Sequence, residues 1–407
     1  MTTLQRVVMI GPFGLHPRMT MRVRALPLAK ALVRRGHAVT MLLPPWQNPE
    51  DSGRRWVDEG VAVENVTLPR GVPGWFHWQL TRRLVQRVSA LSPDVVHTFK
   101  PKAYAGLAHW ALARRFPVVV DTDDWEGPGG WNTRGAYSEG LQRFFTWQER
   151  WGLSHGHAVT VASRALQTLV WATGRSPDSV FYVPNGARTP AAVPSARGAQ
   201  RPTVLLYTRF FEYSLDRLWR VMRLVRAQHA ETRFLVVGKG FAGEEKRLLQ
   251  LARAEGWRVV ESQTDPTGAD LWYTGWGTET TLPAFLAAAD IGIYPFDDTL
   301  LNRTKCPVKL MDLLAAGIPV VADAVGQIRE VVVEGRTGYL VQPGDDVQFA
   351  AATVDLISDI PRCTRMGAAA RADVGARYSW ERLAGVVDEA YRYAITCAGS
   401  WRRRSVV

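Results

Sequence analysis

Two lysines and an aspartate flank the start of a predicted helix in the second half of the chain. A strand pattern, DIGIYP, is followed by the loop FDDTLLNRTKC and by a helix that begins near Pro307. Lys305 and Lys309 lie at this helix start, where unpaired backbone N–H groups and the helix dipole favour an anion, so the pattern is typical of a phosphate site. Lys309 and Asp312 are three residues apart and share a helix face, where a simple exposed ion pair is the alternative.

The residues after this helix predict how the chain returns to a sheet. Gly317 is expected to cap the helix end, and IPVVAD follows as a buried strand. Gly326 then permits a tight turn into the next predicted helix, IREVVVEG, whose first N–H groups add to the same anion site.

A glycine-rich turn offers a competing site. Gly238, Gly240 and Gly243 follow a strand pattern and precede a helix, with the spacing of a dinucleotide-binding turn. Glu261 ends the next predicted strand, where a ribose-binding acid would stand. A nicotinamide-dependent oxidoreductase is therefore the alternative function, although glycine-rich turns also occur in many α/β proteins simply to make the turn.

Acidic residues are concentrated in the stretch VVVDTDDWEGPGGWN. Asp123 and Asp124 follow a predicted strand and are candidates for orienting a substrate hydroxyl group. Trp125 and Trp131 could stack on a sugar ring. Asp121 and Asp123 also match a three-residue acidic pattern that binds metal in some enzymes, and a solvated acidic loop is the remaining alternative.

The first predicted strand, RVVMIG, leads into a loop with two glycines. A turn needs only one of Gly11 and Gly14. Three arginines follow, and one of them is a candidate for binding an anion, whereas the others are expected to solvate the next helix; they are Arg18, Arg22 and Arg24.

Strand and helix patterns alternate in both halves of the chain, which predicts parallel sheets covered by helices on both faces. Residues 187–202 are rich in proline, alanine and glycine and predict a linker. We therefore expect an α/β protein with an N-terminal doubly wound domain at 1–186, a C-terminal one at 203–379, and a final helix within 380–407 that could pack back on the first domain. Ligands of such sheets bind at the carboxyl ends of the strands.

The bulk composition limits the class of protein. The chain has 407 residues, which is too long for one ordinary core, and its net charge is +12. No basic stripe or module typical of nucleic-acid binding is present, so the charge favours an anionic ligand or an anionic membrane. The three scattered cysteines have neither metal-ligand nor disulfide spacing, and no signal peptide or membrane-spanning segment is predicted, so we expect a cytoplasmic protein.

From Lys309 to Asp345 the chain resembles the C-terminal signature of the retaining family 4 glycosyltransferases: KLMDLLAAGIPVVADAVGQIREVVVEGRTGYLVQPGD. Further segments resemble other parts of these enzymes in the same order: RALPLAKALVRRGHAVTMLLP, AVTVASRALQTLV, VFYVPNGA and LPAFLAAADIGIYPF. The resemblance covers nearly the whole chain. It implies the GT-B fold, in which two Rossmann-like domains face each other across a cleft, and transfer of a sugar from a nucleotide diphosphate to a hydroxyl acceptor.

The resemblance also implies roles for individual residues. Asp312 would hold the ribose in place of the glutamate that is usual in the family, and Arg209 would neutralise the diphosphate. The glycine turn would serve the donor and not a dinucleotide. The expected donor-binding residues are Gly14, Arg209, Gly238, Lys239, Gly240, Lys305, Lys309, Asp312 and Gly326.

Two positions depart from the family pattern. Thr304 stands where an acid normally contacts the donor sugar, and Asp297 or Asp298 could replace that acid. Ser214 stands where a lysine normally adds charge near the leaving group, so another lysine of the site is expected to supply it.

We therefore expect a retaining glycosyltransferase that uses a UDP- or GDP-sugar, a glycan, lipid-linked or small-molecule acceptor, and neither a metal nor another cofactor. The expected catalytic residues are Asp123, Asp124, Arg209 and Lys309, and the expected acceptor-binding residues are Gly11, Arg18, Trp125 and Trp131. Besides the oxidoreductase, the alternatives are a nucleotide-sugar epimerase and a non-catalytic sugar-binding relative.

One segment also indicates membrane contact. GWFHWQLTRRLVQRV predicts a basic amphipathic helix with Trp75 and Trp78, and its apolar stripe either packs on the sheet or lies on an anionic bilayer. The arginines of the C-terminal SWRRRSVV add to this pattern. The sequence thus allows peripheral contact with the inner face of the cell membrane.

Overall fold

The computed structural model describes residues 4–71, 73–134, 137–187, 201–264 and 266–404. The chain forms two compact units. The first contains the residues up to Gly186, the tripeptide Thr304–Cys306 and the C-terminal segment from Trp380, and the second contains Ala187–Arg303 and Pro307–Ser379. The expected linker lies almost entirely outside the described residues, as do the side chains of the C-terminal arginines.

The first unit is built on an eight-stranded sheet. Its strands are β1 (Arg6–Ile10), β2 (Ala38–Leu43), β3 (Arg55–Asp58), β4 (Val61–Asn65), β5 (Val95–Phe99), β6 (Val118–Thr122), β7 (Ala158–Val161) and β8 (Val180–Tyr182). They follow the order β3-β4-β2-β1-β5-β6-β7-β8, and all neighbours are parallel except β3 and β4. The strand patterns of the N-terminal half correspond to the seven parallel strands, whereas the edge strand β3 has no buried residue and no long apolar run that would reveal it.

The second unit is built on a seven-stranded parallel sheet. Its strands are β9 (Thr203–Thr208), β10 (Arg233–Gly238), β11 (Val259–Glu261), β12 (Leu271–Gly275), β13 (Ile291–Tyr294), β14 (Val320–Asp323) and β15 (Gly338–Val341). Their order is β11-β12-β10-β9-β13-β14-β15. The sequence analysis misses β12, which lies between β10 and β11. Every residue of β9 and β10 is buried, as expected for strands covered on both faces.

Helices connect the strands and cover both sheets. Their bounds are α1 (Leu26–Arg34), α2 (Pro73–Leu91), α3 (Ala103–Leu112), α4 (Trp131–Arg134), α5 (Glu139–His155), α6 (Arg164–Trp171), α7 (Leu215–Gln228), α8 (Glu244–Ala254), α9 (Leu282–Ala287), α10 (Leu300–Thr304), α11 (Val308–Ala315), α12 (Ile328–Val331), α13 (Asp346–Ile357), α14 (Ile360–Arg377) and α15 (Trp380–Arg404). A π-helical turn, Met21–Ala25, precedes α1, and short 3-10 turns lie at Pro49–Asp51 and Pro177–Ser179.

The terminal helix α15 is part of the core of the first unit. Together with α1 it covers one face of the first sheet, where Leu28, Leu32, Val387 and Tyr391 are buried. The other face is covered by α2, α3, α5 and α6. The apolar stripe predicted in α2 packs on the sheet, since Leu80 and its equivalents on the following turns are fully buried.

Candidate functional site

Helix α11 presents Lys309 and Asp312 in the second unit. The helix starts directly after Pro307, and Gly317, with φ of +74°, follows its end, which confirms the predicted cap. The Lys309 Nζ lies 5.5 Å from the ring centre of Tyr207, near the carboxyl end of β9. Asp312 is only 9% exposed. The helix therefore brings a cation and a largely buried carboxylate to this edge of the sheet.

Arg209 follows β9, and its guanidinium group lies near two exposed aromatic rings. Its Cζ is 4.8 Å from the ring centre of Trp276 and 5.7 Å from that of Phe241. The next residue, Phe210, has φ of +66°, which non-glycine residues rarely adopt, and its N–H donates to the Thr208 hydroxyl at 2.8 Å. Backbone strain of this kind is often found at functional sites. In this chain, the positive φ of Phe210 turns the backbone directly after Arg209.

Two backbone N–H groups of the glycine turn after β10 donate hydrogen bonds to glutamates of the following helix. Glu245 accepts the N–H of Gly240 at 2.9 Å, and Glu244 accepts that of Ala242 at 2.8 Å. Glu261 ends β11, which β12 separates from β10. A dinucleotide site requires the ribose-binding acid on the strand next to the turn. Glu261 lies one strand further away, about two strand spacings of 4.8 Å from β10. This arrangement argues against the oxidoreductase.

Two of the expected donor glycines have tight packing roles. A Cβ at Gly238, whose φ is +138°, would lie 1.8 Å from the carbonyl oxygen of Thr208. A Cβ at Gly326 would lie 2.4 Å from the carbonyl oxygen of Arg303. Lys239 is exposed beside the first of these turns. Helix α12, which follows Gly326, has only four residues and is shorter than the sequence predicts.

A tripeptide shortly before α11, Thr304–Cys306, belongs to the first unit. Thr304 is buried, and its carbonyl oxygen accepts a hydrogen bond from the Ser163 hydroxyl at 2.7 Å. Lys305 follows in the same unit and is half-buried. In the second unit, Asp298 bonds to the guanidinium of Arg303 at 2.7 Å. The structure thus groups Lys305 with a different unit from the two cations near β9.

In the first unit, packing explains both glycines of the loop after β1. A Cβ at Gly11 would lie 2.8 Å from the Met21 sulfur, and one at Gly14 would lie 2.6 Å from the Asn48 side-chain oxygen. Arg18, further along this loop, is exposed. A side chain at either position would therefore have to displace a neighbouring side chain, Met21 or Asn48.

The carboxyl ends of β5 and β6 carry a buried cluster of charged groups. The Nζ of Lys100 lies 3.0 Å from a carboxylate oxygen of Asp123, 3.3 Å from one of Asp124 and 3.1 Å from one of Glu126. Lys102 bonds to the other oxygen of Glu126 at 2.6 Å. Lys100 has φ of +58°, so this lysine is also held in a strained conformation. Neither lysine was among the residues predicted from the sequence, although Lys100 directly follows a strand end.

Burial and charge act differently on the carboxyl groups of this cluster. Burial raises the pKa of Asp123 to about 6; Lys100 opposes this shift, and Asp124 adds to it. Burial also raises the pKa of Glu126, but the two lysines outweigh it and hold that pKa below its ordinary value. Burial thus raises the pKa of Asp123, whereas the lysines lower the pKa of Glu126, so these two carboxyl groups change charge over different pH ranges.

The structure corrects the expectation for Trp125. Its ring is 8% exposed and packs in the core, and its indole N–H donates to the carbonyl oxygen of Pro128 at 2.8 Å. A ring buried in this way has no free face for a sugar. Trp131 begins α4 and is half-buried, so it keeps more accessible surface than Trp125.

A buried arginine–aspartate pair, which the sequence analysis missed, occurs in each unit. The guanidinium of Arg24 bonds to both carboxylate oxygens of Asp121 at 2.8 and 2.6 Å. Arg217 pairs with Asp323 at 2.8 Å through two bonds and lies 3.7 Å from Asp297. Of the three arginines after β1, Arg24 therefore binds an anionic side chain, and Asp121 is paired with an arginine at the position where a metal was considered. An aspartate within a buried strand needs such a partner, which is the signal that could have revealed both pairs.

Within the described ranges, no three histidine, cysteine, aspartate or glutamate side chains are grouped so that they could hold a metal ion. In the same part of the chain, no helix has the length and apolar character needed to cross a membrane.

Comparison with known proteins gives matches over most of the chain. Residues 20–186 match the glycosyl transferase 4-like domain, and residues 201–359 match the glycosyl transferases of group 1. The chain is 25% identical to the phosphatidyl-myo-inositol mannosyltransferase of Mycobacterium leprae (strain TN), over 96% of this chain and 97% of that protein.

Two solved structures are similar over nearly their whole length. The sucrose-phosphate synthase from Thermosynechococcus elongatus has a TM-score of 0.70 and 20% identity, over 95% of this chain and 98% of that one. HepE of Anabaena, in complex with UDP and glucose, has a TM-score of 0.65 and 18% identity, over 94% of this chain and 98% of that one. At these identities the likeness shows the fold alone.

Proposed function

The chain belongs to the group 1 glycosyl transferases and has the GT-B fold, and from this premise we propose which groups carry out the transfer. The protein is a glycosyltransferase. In the proposed reaction, the bond between the sugar and a nucleoside diphosphate breaks, a bond to an acceptor oxygen forms, and the anomeric configuration is retained.

The observation that carries the donor assignment is the set of charges at the carboxyl end of β9. Arg209 follows this strand directly, and Lys309 lies over Tyr207, two residues earlier. As the sugar leaves, negative charge develops on the diphosphate, and preorganised cations stabilise that charge in the transition state. Asp312, on the same helix as Lys309, can accept hydrogen bonds from the ribose hydroxyl groups.

We assign the acceptor side to the cluster around Lys100. Asp123 and Asp124 lie at the end of β6, where ligands of parallel sheets bind, and the lysine holds both carboxylates in place. The ionised Asp123 would accept a hydrogen bond from the attacking hydroxyl group and orient it. The proposed acceptor is a glycan or a lipid-linked molecule, and a relative named for phosphatidyl-myo-inositol supports the latter.

The experiment is a thermal-shift panel of UDP, GDP, ADP, their sugar conjugates, NAD(H) and NADP(H). We expect a shift with one nucleoside diphosphate, and at least about tenfold weaker binding in Asp312→Ala, because hydrogen bonds to a charged acceptor are lost. Asp312→Glu should retain most of the affinity. Glu231→Ala, an exposed acid of the same unit, is the matched control and should bind like the parent protein.

Two results would overturn this assignment. A shift only with a dinucleotide, abolished in Gly240→Val, would restore the oxidoreductase. Equal nucleotide affinity of Asp312→Ala and the parent protein would remove Asp312 from the site.

A further inference from the structure

One helix layer of the first unit exposes many large apolar side chains. Helices α2, α3, α5 and α6 pack on the same face of the sheet, and α3 contacts both α2 and α5. Their outer sides carry large apolar side chains that are 37–60% exposed, although tryptophan and phenylalanine are mostly buried in soluble domains. We call this surface the aromatic face; it consists of Trp75, Trp78, Trp110, Leu141, Phe144, Trp147 and Trp171.

The exposed charged side chains on these four helices are almost all positive. Among the described residues of the four helices, Glu139 is the one exposed acid, because Glu149 is fully buried. The arginine Arg82 lies over the Trp78 ring at 5.3 Å. The exposed arginines on these helices and in the turn after α3 are Arg82, Arg114, Arg115, Arg143, Arg150 and Arg164.

Four rings of the aromatic face lie against one another in two pairs, Trp75 with Trp78 and Phe144 with Trp147. Trp75 and Trp78 are stacked with centres 4.8 Å apart. On α5, the ring of Trp147 lies within 30° of parallel to both Phe144 and Trp151, at 5.9 and 6.3 Å. Sugar rings bind to open aromatic faces, whereas these rings turn much of their faces toward each other. Aromatic edges beside arginines are instead typical of the lipid headgroup region.

We propose that the aromatic face docks on the surface of an anionic lipid bilayer, with its rings in the headgroup region and its arginines against the lipid phosphates. The apolar stripe of α2 takes no part in this contact because it is buried against the sheet. The contact surface is therefore the outer side of a whole helix layer and not one inserted amphipathic helix. Action at the inner face of the cell membrane belongs to the same proposal, which is independent of the donor site.

The test is flotation of the full-length protein with vesicles of phosphatidylcholine, with and without phosphatidylglycerol. We expect binding only to the anionic vesicles, and weaker binding as salt is raised. Arg114→Glu combined with Arg150→Glu should weaken binding at least about tenfold, because each arginine near an anionic surface contributes to the attraction. Trp110→Gln combined with Trp147→Gln should also weaken it.

Matched control variants distinguish binding through the aromatic face from binding through any exposed apolar side chain. Val57→Gln changes an exposed apolar residue of the first unit on β3, and Val347→Gln changes one in the second unit. Both should bind vesicles like the parent protein, and all variants should keep its melting temperature and its nucleotide-induced thermal shift.

Several outcomes would overturn the proposal. The protein could fail to float with anionic vesicles, or it could float equally with both kinds of vesicle. The control variants could also lose as much binding as the variants of the aromatic face. Retention on immobilised dextran that is lost in Trp147→Gln would identify a glycan surface, and a dimer in sedimentation equilibrium that the same variant dissociates would identify a second copy as the occupant.

Discussion

At the scale of single residues, Lys100 is the central cation of the charged cluster in the first unit. Its ammonium group touches three carboxylates, and it leaves the strand end in a strained conformation that few non-glycine residues adopt. Arg209 has a corresponding position in the second unit, since it follows a strand end and precedes a residue with positive φ. In both units, the side chains proposed to act on substrate stand beside strained backbone, which neither residue type nor spacing revealed.

The raised pKa of Asp123 predicts how activity depends on pH. If the ionised carboxylate orients the acceptor hydroxyl, kcat/KM should fall as the pH decreases through about 6, the pKa of Asp123. Asp123→Asn should lower kcat/KM by about a hundredfold and abolish this acid limb. Asp178→Asn, an exposed acid of the same unit, should keep it. An unchanged acid limb in Asp123→Asn would contradict the assignment.

The same shift predicts a pH dependence of stability. Because folding raises the pKa of Asp123, the folded unit binds this proton more tightly than the unfolded chain does. The stabilisation is complete below the unfolded value of about 4 and is lost as the pH rises through about 6. Asp123→Asn should remove that loss, which is on the order of 1–3 kcal/mol, in urea unfolding compared between about pH 4 and pH 7.

At the scale of elements, the buried ion pairs show how each sheet positions its first helix. In the first unit, Arg24 stands in the helical segment after β1, and Asp121 lies on β6, two strands away in the sheet. In the second unit, Arg217 stands on the helix after β9, and Asp323 ends β14, again two strands away. Each pair thus ties the first helical segment of its own unit to a strand of the same sheet, and breaking a buried pair usually costs about 3–5 kcal/mol.

The turn between β10 and α8 gives a prediction at this scale. Gly238→Ala should destabilise the second unit by several kcal/mol, because the new Cβ would meet the Thr208 carbonyl oxygen of the neighbouring strand as well as an unfavourable φ. Gly256→Ala is the matched control, since Gly256 also has a positive φ but has open space at the Cβ position. It should cost only about 1 kcal/mol in chemical denaturation. Equal losses of unfolding free energy in the two variants would contradict this prediction, because β9 would then move away from the new Cβ at position 238 without a penalty.

At the scale of the whole molecule, the chain returns at its end to the unit with which it began. The apolar face of α15 is buried on the first sheet, and its Tyr391 hydroxyl lies 2.9 Å from a ring nitrogen of His97 on β5. The first unit is therefore complete only when the last segment of the chain is present.

Removing α15 should accordingly unfold the first unit. Its buried side chains each contribute about 1.5–3 kcal/mol, and their sum exceeds the stability of a typical domain. Residues 1–186 alone should be insoluble or lack cooperative unfolding by circular dichroism, and fusing residues 380–404 to them should restore it. Residues 203–379 alone, which have their own core, should stay folded. A stable fragment 1–186 would show that α15 is dispensable.

Much of the fold could be predicted from the sequence because buried parallel strands are continuous apolar runs. Two strands were not predicted, for different reasons. Strand β3 has no buried side chain, and β12 ends in a Thr-Gly pattern that shortens its apolar run. Missing β12 had a consequence for function, since it made Glu261 look like the neighbour of the glycine turn.

The sequence by itself determined the fold class, the family and the residues of α11, because these depend on local patterns of apolar residues, glycines and charges. Only the tertiary structure decided which charges meet. It paired Arg24 with Asp121, buried Trp125, joined Lys100 to Asp123, and left the tryptophans of one helix layer exposed. These outcomes depend on contacts between residues far apart in the chain, and such contacts set burial and electrostatic surroundings that no local pattern encodes.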